Sequence, residues 1–143
     1  MCTPSLAIDA IIEVPGEVPA VILVSRRDPP IKHAIPGGFV DVGETVEAAT
    51  VREVMEETNL DLTSLEQFHV YSDPARDTRR HTVSVVFRCV ARDMTVLRTG
   101  DDAKSVRAIP LNEIFSLDLA FDHRQILKDF VEKYHPMHAS KGD

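Results

Sequence analysis

Runs of Val, Ile, Leu and Phe, punctuated by Pro, Gly, Asp and Asn, place strands at about 5–14, 19–26, 34–40, 65–72, 81–91 and 104–110. Two stretches follow a helical period instead. Ala48, Val51, Val54 and Met55 fall on one side of a helix expected over about 45–58, with Thr45 as its N-cap and Ala48 where a capping box would need Glu or Gln. Phe121, Ile126, Leu127, Phe130 and Val131 form the apolar stripe of a second helix over about 122–134, for which Asp122 and Gln125 offer a cap and its reciprocal partner. Leu111 to Leu117 reads as a short turn or helix, and residues 136–143 as a frayed tail. Strands with helices on both sides imply an α/β/α sandwich. With no internal repeat, low-complexity tract or linker, the expectation is one domain over 1–135.

The side of the first helix opposite its apolar residues carries the most chemistry. At about 100° per residue, Glu53, Glu56 and Glu57 project at about 0°, 300° and 40°, so three carboxylates share one face of a single turn. On spacing alone such a cluster reads as a solvated acidic face. The residues before the helix reverse that reading: Pro36-Gly37-Gly38 brings two glycines, which let backbone approach a ligand or aim a carbonyl at a metal without side-chain obstruction. In a cleft, carboxylates about 4 Å apart repel by about 4 kcal/mol, and a hard cation such as Mg²⁺ or Mn²⁺, which prefers oxygen ligands, supplies the missing charge. Arg52, four residues before Glu56, is placed to orient it.

Written in full, the segment is Gly38, five residues, Glu44, seven residues, Arg52-Glu53-Val54, one residue, Glu56-Glu57, one residue, Asn59-Leu60. It arises by chance in a chain of this length about once in a million. It resembles the box of the Nudix hydrolases, Gly-x5-Glu-x7-Arg-Glu-U-x-Glu-Glu-x-Gly-U, where U is apolar. Asn59 stands in place of the last glycine, and Asn is the next choice where a helix ends in a left-handed conformation.

A second segment, Asp73-Pro74-Ala75-Arg76-Asp77-Thr78-Arg79-Arg80-His81-Thr82, concentrates arginine in a chain whose net charge is −7. The guanidinium fork suits bidentate contact with phosphate or carboxylate, although a solvated hairpin connection would use the same residues. The segment is similar to the loop Asp-Pro-x-Arg-Asp-Pro-Arg-Gly-His-Thr of the ADP-ribose pyrophosphatase branch of that family, with Thr78 for proline and Arg80 for glycine. Gly100-Asp101-Asp102-Ala103 and Leu119-Ala120-Phe121-Asp122-His123 are also similar to segments of that branch, so the likeness runs from about residue 20 to 131.

The resemblance implies a mixed sheet between helices and metal-dependent attack of water on a nucleoside diphosphate linked to another group, with ADP-ribose giving AMP and ribose 5-phosphate. It carries metal-ligand roles to Glu53, Glu56, Glu57 and the Gly37 carbonyl, support to Gly38, Glu44 and Arg52, and substrate contact to Arg76 and Arg79. Glu53, Asp101 and Asp102 are candidates for the catalytic base, with Asp102 preferred. Asp122 reads as a helix cap and His123 has no assigned partner; adenine could stack on an aromatic, but Phe39, Phe68, Tyr71 and Phe121 read rather as core or cleft wall. The same box would serve a nucleoside triphosphate pyrophosphohydrolase, or a non-catalytic ADP-ribose sensor. A homodimer is a further implication of the branch.

Acidic charge disfavours nonspecific nucleic-acid binding, so no stable nucleic-acid complex is expected. Two cysteines, Cys2 and Cys89, fit reduced thiols. No basic region precedes the first apolar run and no stretch approaches a membrane-spanning length, which points to a cytoplasmic protein without a membrane partner.

Overall fold

In the computed structural model, which describes residues 3–26, 28–98 and 104–139, strand β1 (Ser5–Val14) organises the sheet. It runs parallel to β6 (Thr82–Ala91) along nine paired positions, from Ser5 opposite Thr82 to Glu13 opposite Val90. On its other edge it is shared: Glu13 and Val14 pair antiparallel with β2 (Ala20–Arg26), while Ala7 to Asp9 pair with β4 (Gly37–Phe39). The short β3 (His33–Ala34) and β7 (Lys104–Pro110) pair antiparallel with β2, and β5 (Leu62–Tyr71) pairs antiparallel with β6. Among the described residues this is a mixed seven-stranded sheet.

Alternation along β1 divides the core in two. Ile8, Ala10 and Ile12 meet Ala49 and Val54 of α1 (Val46–Thr58), together with Leu60, Phe87 and Cys89. Ile11 points to the opposite face, where Ile126, Leu127, Phe130 and Val131 of α2 (His123–Tyr134) pack with Val21, Leu23 and Val86. Each fully buried aliphatic or aromatic side chain of this size contributes about 1.5–3 kcal/mol relative to exposure. The architecture is therefore the expected sandwich, one helix on each face. Burial pushes the Cys89 thiol up to about 12, so it stays protonated; Cys2 lies outside the described residues. Among the described residues no helix is long and apolar enough to cross a membrane.

Four expectations need correction. The strand expected over 34–40 is two strands with different partners, because Pro36 has no N–H for a ladder; its carbonyl instead accepts from Ala10 N at 2.8 Å. The strand expected from 65 begins at Leu62, and its register shifts between Leu62 and Ser64 and between Gln67 and His69 blur the two-residue period. Ala48, Val51 and Met55 do not face the core: they are exposed, and α1 packs through Ala49, Thr50, Val54 and Thr58. These small side chains bring the helix close to the sheet, and the two threonine hydroxyls donate back to Val46 O at 2.8 Å and Val54 O at 2.6 Å, so neither is left unpaired. The assigned tail begins as a 3₁₀ turn, Pro136–His138, followed by Ala139 against the core; residues 140–143 lie outside the described residues. Leu111–Leu117 contains the 3₁₀ turn Ile114–Ser116.

The ends of α1 follow the expected chemistry. Thr45 Oγ1 accepts from Ala48 N at 3.0 Å. Asn59 closes the helix at φ 63°, with its N–H on Met55 O and its side-chain amide donating to Val96 O at 3.0 Å. Asn59→Gly removes one exposed hydrogen bond but relaxes the backbone, so thermal unfolding should shift by less than about 1 kcal/mol, whereas Asn59→Val should cost about 2 kcal/mol. Equal stability of the two variants would contradict this account of the helix end.

Candidate active site

Two glycines bring α1 against β4. A Cβ on Gly37 would run into the Ile8 carbonyl and the Asp9 side chain, and one on Gly38 would lie 2.5 Å from the Glu53 carboxyl carbon. The absence of side chains at both positions seats Glu53 and Glu57 on the strand backbone. Gly37 N donates to Glu57 Oε1 at 3.3 Å.

Arg52 binds the cluster together. Its Nε and Nη2 donate to both oxygens of Glu44 at 2.7 and 2.8 Å, its Nη1 to Glu53 Oε1 at 2.7 Å, and its Nη2 to the Phe39 carbonyl at 3.1 Å. The expected pairing with Glu56 is the weakest contact, at 3.5 Å. Glu44 is thereby held at about 2 by the Arg52 hydrogen bonds, with the Asp41 N–H adding to them. Glu57 behaves in the opposite way: burial raises it to about 7, the Gly37 N–H lowers it, and Glu53 repels it further upward.

Among the described residues, no three His, Cys, Asp or Glu side chains converge as a closed metal cage. The donors nevertheless fit a hard divalent cation. Glu53, Glu56 and Glu57 supply oxygen only, and Mg²⁺ binds through few carboxylates while keeping several waters. Arg52 thus links Glu44, Glu53 and, at the longest distance, Glu56, while Glu53 and Glu57 lie against Gly38 and Gly37.

The glycines open onto a cleft of about 320 Å³ whose walls include Asp9, Glu57, Arg79, Phe121 and His123, in the range for small-molecule sites. The two arginines singled out in the sequence part here. Arg76 is 5% exposed, paired through Nε and Nη2 with both oxygens of Asp122 at 2.9 and 2.8 Å, and donates to Thr82 O at 3.3 Å. Arg79 is 62% exposed and rests on Asp77 at 2.9 and 3.1 Å. The cap expected from Asp122 is not made, because both its oxygens are taken by Arg76; Gln125 donates to Asp129 Oδ1 at 2.7 Å instead of reaching back. Asp101 and Asp102 lie outside the described residues. Phe68 and Tyr71 pack on the core, while Phe39 and Phe121 line the cleft.

Beneath the cleft lies a network that sequence reasoning missed. Asp9 is buried in β1, Ser84 donates to its Oδ2 at 2.5 Å, and desolvation raises it to about 7. His123, also buried, accepts the Ile35 N–H on Nδ1 at 3.0 Å, so Nε2 carries its proton toward Asp9 Oδ1, 3.7 Å away. Burial lowers His123 to about 4, against the pull of Asp122, and keeps it neutral. The available signals were a lone Asp inside SLAIDAIIEV and a Ser inside TVSVVF, polar residues where strands should be wholly apolar.

Two substitutions separate fold from ligand binding. Gly38→Ala should displace the Glu53 carboxylate and weaken Mg²⁺ binding at least about tenfold by calorimetric titration, with little loss of stability. Gly37→Ala meets fixed backbone and should cost more than about 2 kcal/mol in denaturant unfolding. Wild-type Mg²⁺ affinity in Gly38→Ala would contradict the placement of Glu53.

Comparison with known proteins agrees with this geometry. Residues 3–130 match the NUDIX domain family. The chain is 43% identical to an ADP-ribose pyrophosphatase of Methanocaldococcus jannaschii over 132 residues, covering 90% of this chain and 73% of that protein. It is 29% identical to the ADPR responsive transcriptional repressor NtrR of Acinetobacter baylyi, of which it spans about half, 52%. The fold superposes on the NUDIX domain of Shewanella oneidensis NrtR complexed with ADP ribose with a TM-score of 0.81, at 25% identity, over 93% of this chain and 90% of that one. A chain matched over nearly its whole length belongs to the NUDIX domain family as a pyrophosphohydrolase.

Proposed function

We propose that this protein hydrolyses ADP-ribose, or a close nucleoside diphosphate derivative, to AMP and ribose 5-phosphate with a divalent metal. The observation that carries the reading is the 43% identity to an ADP-ribose pyrophosphatase across 90% of the chain, joined to a cleft walled by Gly37 and by Gly38 and Glu57 of the box. When bound, Mg²⁺ or Mn²⁺ would neutralise diphosphate oxygens and make a bound water more acidic. Glu53, Glu56, Glu57 and the Gly37 carbonyl would hold it.

The remaining work belongs to the chain. Arg52, with Glu44 fixed beside it, sets the position of Glu53. Arg79, exposed and charged, takes the anionic part of the substrate, while Arg76 shapes the loop through Asp122. Glu53, Asp101 or Asp102, with Asp102 preferred, takes the proton of the attacking water; Asp101 and Asp102 lie outside the described residues. The buried carboxyl of Asp9 and the neutral imidazole of His123 offer hydrogen bonds without a fixed full charge, which suits the sugar end of the ligand.

A second reading, binding of ADP-ribose as a signal, is favoured by the similarity to NtrR and to the NrtR domain bound to ADP ribose. Product analysis separates the two. With Mg²⁺ and ADP-ribose, AMP and ribose 5-phosphate should form in equal amounts, and Glu56→Gln and Glu57→Gln should each lower kcat at least about a hundredfold with circular dichroism unchanged. Tight binding without AMP release would establish the sensor, and unimpaired turnover in both variants would refute the metal assignment.

A further inference from the structure

Phe121 combines three properties that packing does not require. It is one of two non-glycine residues among those described with positive φ, at 52°, and unlike Asn59 it has no short polar side chain to ease that conformation. The strain is held from both sides: Ala120 N donates to His33 O at 2.9 Å, His123 N donates to Ala120 O at 3.0 Å, and Asp122 is clamped by Arg76. The outcome is a phenyl ring 52% exposed on the wall of the active-site cleft. Its edge is braced by His123, with ring centres 5.6 Å apart, and the Arg79 guanidinium lies over it at 4.9 Å from the ring centre.

A planar, delocalised guanidinium on a phenyl face occupies the kind of place that suits an aromatic base. Phe39 is the other exposed phenyl in the cleft, but it follows Gly38 directly and its carbonyl is tied to Arg52, which puts it at the metal end. We propose that Phe121 is the platform on which the substrate's adenine stacks, and that Arg79 leaves this ring for the diphosphate when the base arrives. Asp77 is buried and accepts from both the backbone and the guanidinium of Arg79, so it serves as the pivot while the exposed end of the side chain leaves the ring. Specificity then divides along the cleft: the aromatic wall reads the base, and the glycine and carboxylate end reads the diphosphate.

This inference rests on the hydrolase reading for its substrate, so the test uses products as well as turnover. In Phe121→Ala, KM for ADP-ribose should rise about tenfold with kcat within about twofold, and AMP should inhibit about tenfold less well while ribose 5-phosphate inhibits as before. Phe121→Trp should restore both AMP inhibition and KM. In the wild-type protein, transferred nuclear Overhauser effects should connect the Phe121 ring to adenine H2 and H8 of AMP, a measurement that needs no variant to fold. Equal weakening of AMP and ribose 5-phosphate, or contacts from adenine to another ring, would overturn the platform. Absence of ADP-ribose hydrolysis by the wild type would instead defeat the hydrolase reading, while the comparison of AMP with ribose 5-phosphate binding would still judge Phe121.

Discussion

Like charge gathered at a backbone that has no side chains to keep it away is the constraint around which this molecule is built. Glu53 and Glu57 rest on Gly38 and Gly37, and the same contacts roll α1 so that Val51 and Met55 face solvent. A helix optimised only for burial would turn those two residues inward. Carboxylates about 4 Å apart cost about 4 kcal/mol at the effective dielectric of a protein cleft, more than a partly exposed arginine returns. Arg52 satisfies Glu44 and Glu53 well and Glu56 poorly, and Glu57 is left to burial and to one N–H. The unbalanced remainder is what the proposed divalent cation would complete.

The floor of the cleft solves a different problem with buried polar groups. Arg76 and Asp122 pair with each other, burial raises Asp9 to about 7, and His123 is kept uncharged, so the floor of the cleft is polar. Such a floor offers hydrogen bonds, and the exposed Arg79 stands above it with its charge paired to Asp77 of its own loop. Asp122, drawn away from capping α2, gives up a helix cap worth about 1 kcal/mol to anchor the arginine loop.

Much of this was legible from residues alone, for physical reasons. Strands were readable where apolar runs were unbroken, as in β1 and β6, α2 was readable from its helical period, and the carboxylate face of α1 was readable because helical spacing fixes which side chains share a side. The core face of α1 was misread because Ala49, Thr50 and Thr58 carry little hydrophobic signal; their burial comes from close approach to the sheet, a property of tertiary contact. The break at Pro36 depended on which strand each half would pair with. Arg76 and Arg79 looked alike in sequence, and only the fold, by placing Asp122 against one and solvent against the other, gave them different tasks. Asp9 and His123 are brought together by β1 and α2 from opposite ends of the chain, which no local spacing records.

The most direct test is a carbon-13 titration of the Glu57 side-chain carboxyl, with and without Mg²⁺. Without metal, Glu57 should titrate near pH 7, because burial and Glu53 favour its protonated form. A bound cation favours the charged form, so saturating Mg²⁺ should lower that midpoint by about two units or more, and Mg²⁺ affinity should fall as pH drops below 7. A midpoint that Mg²⁺ leaves where it was would contradict the central claim that the α1 carboxylates form the metal site.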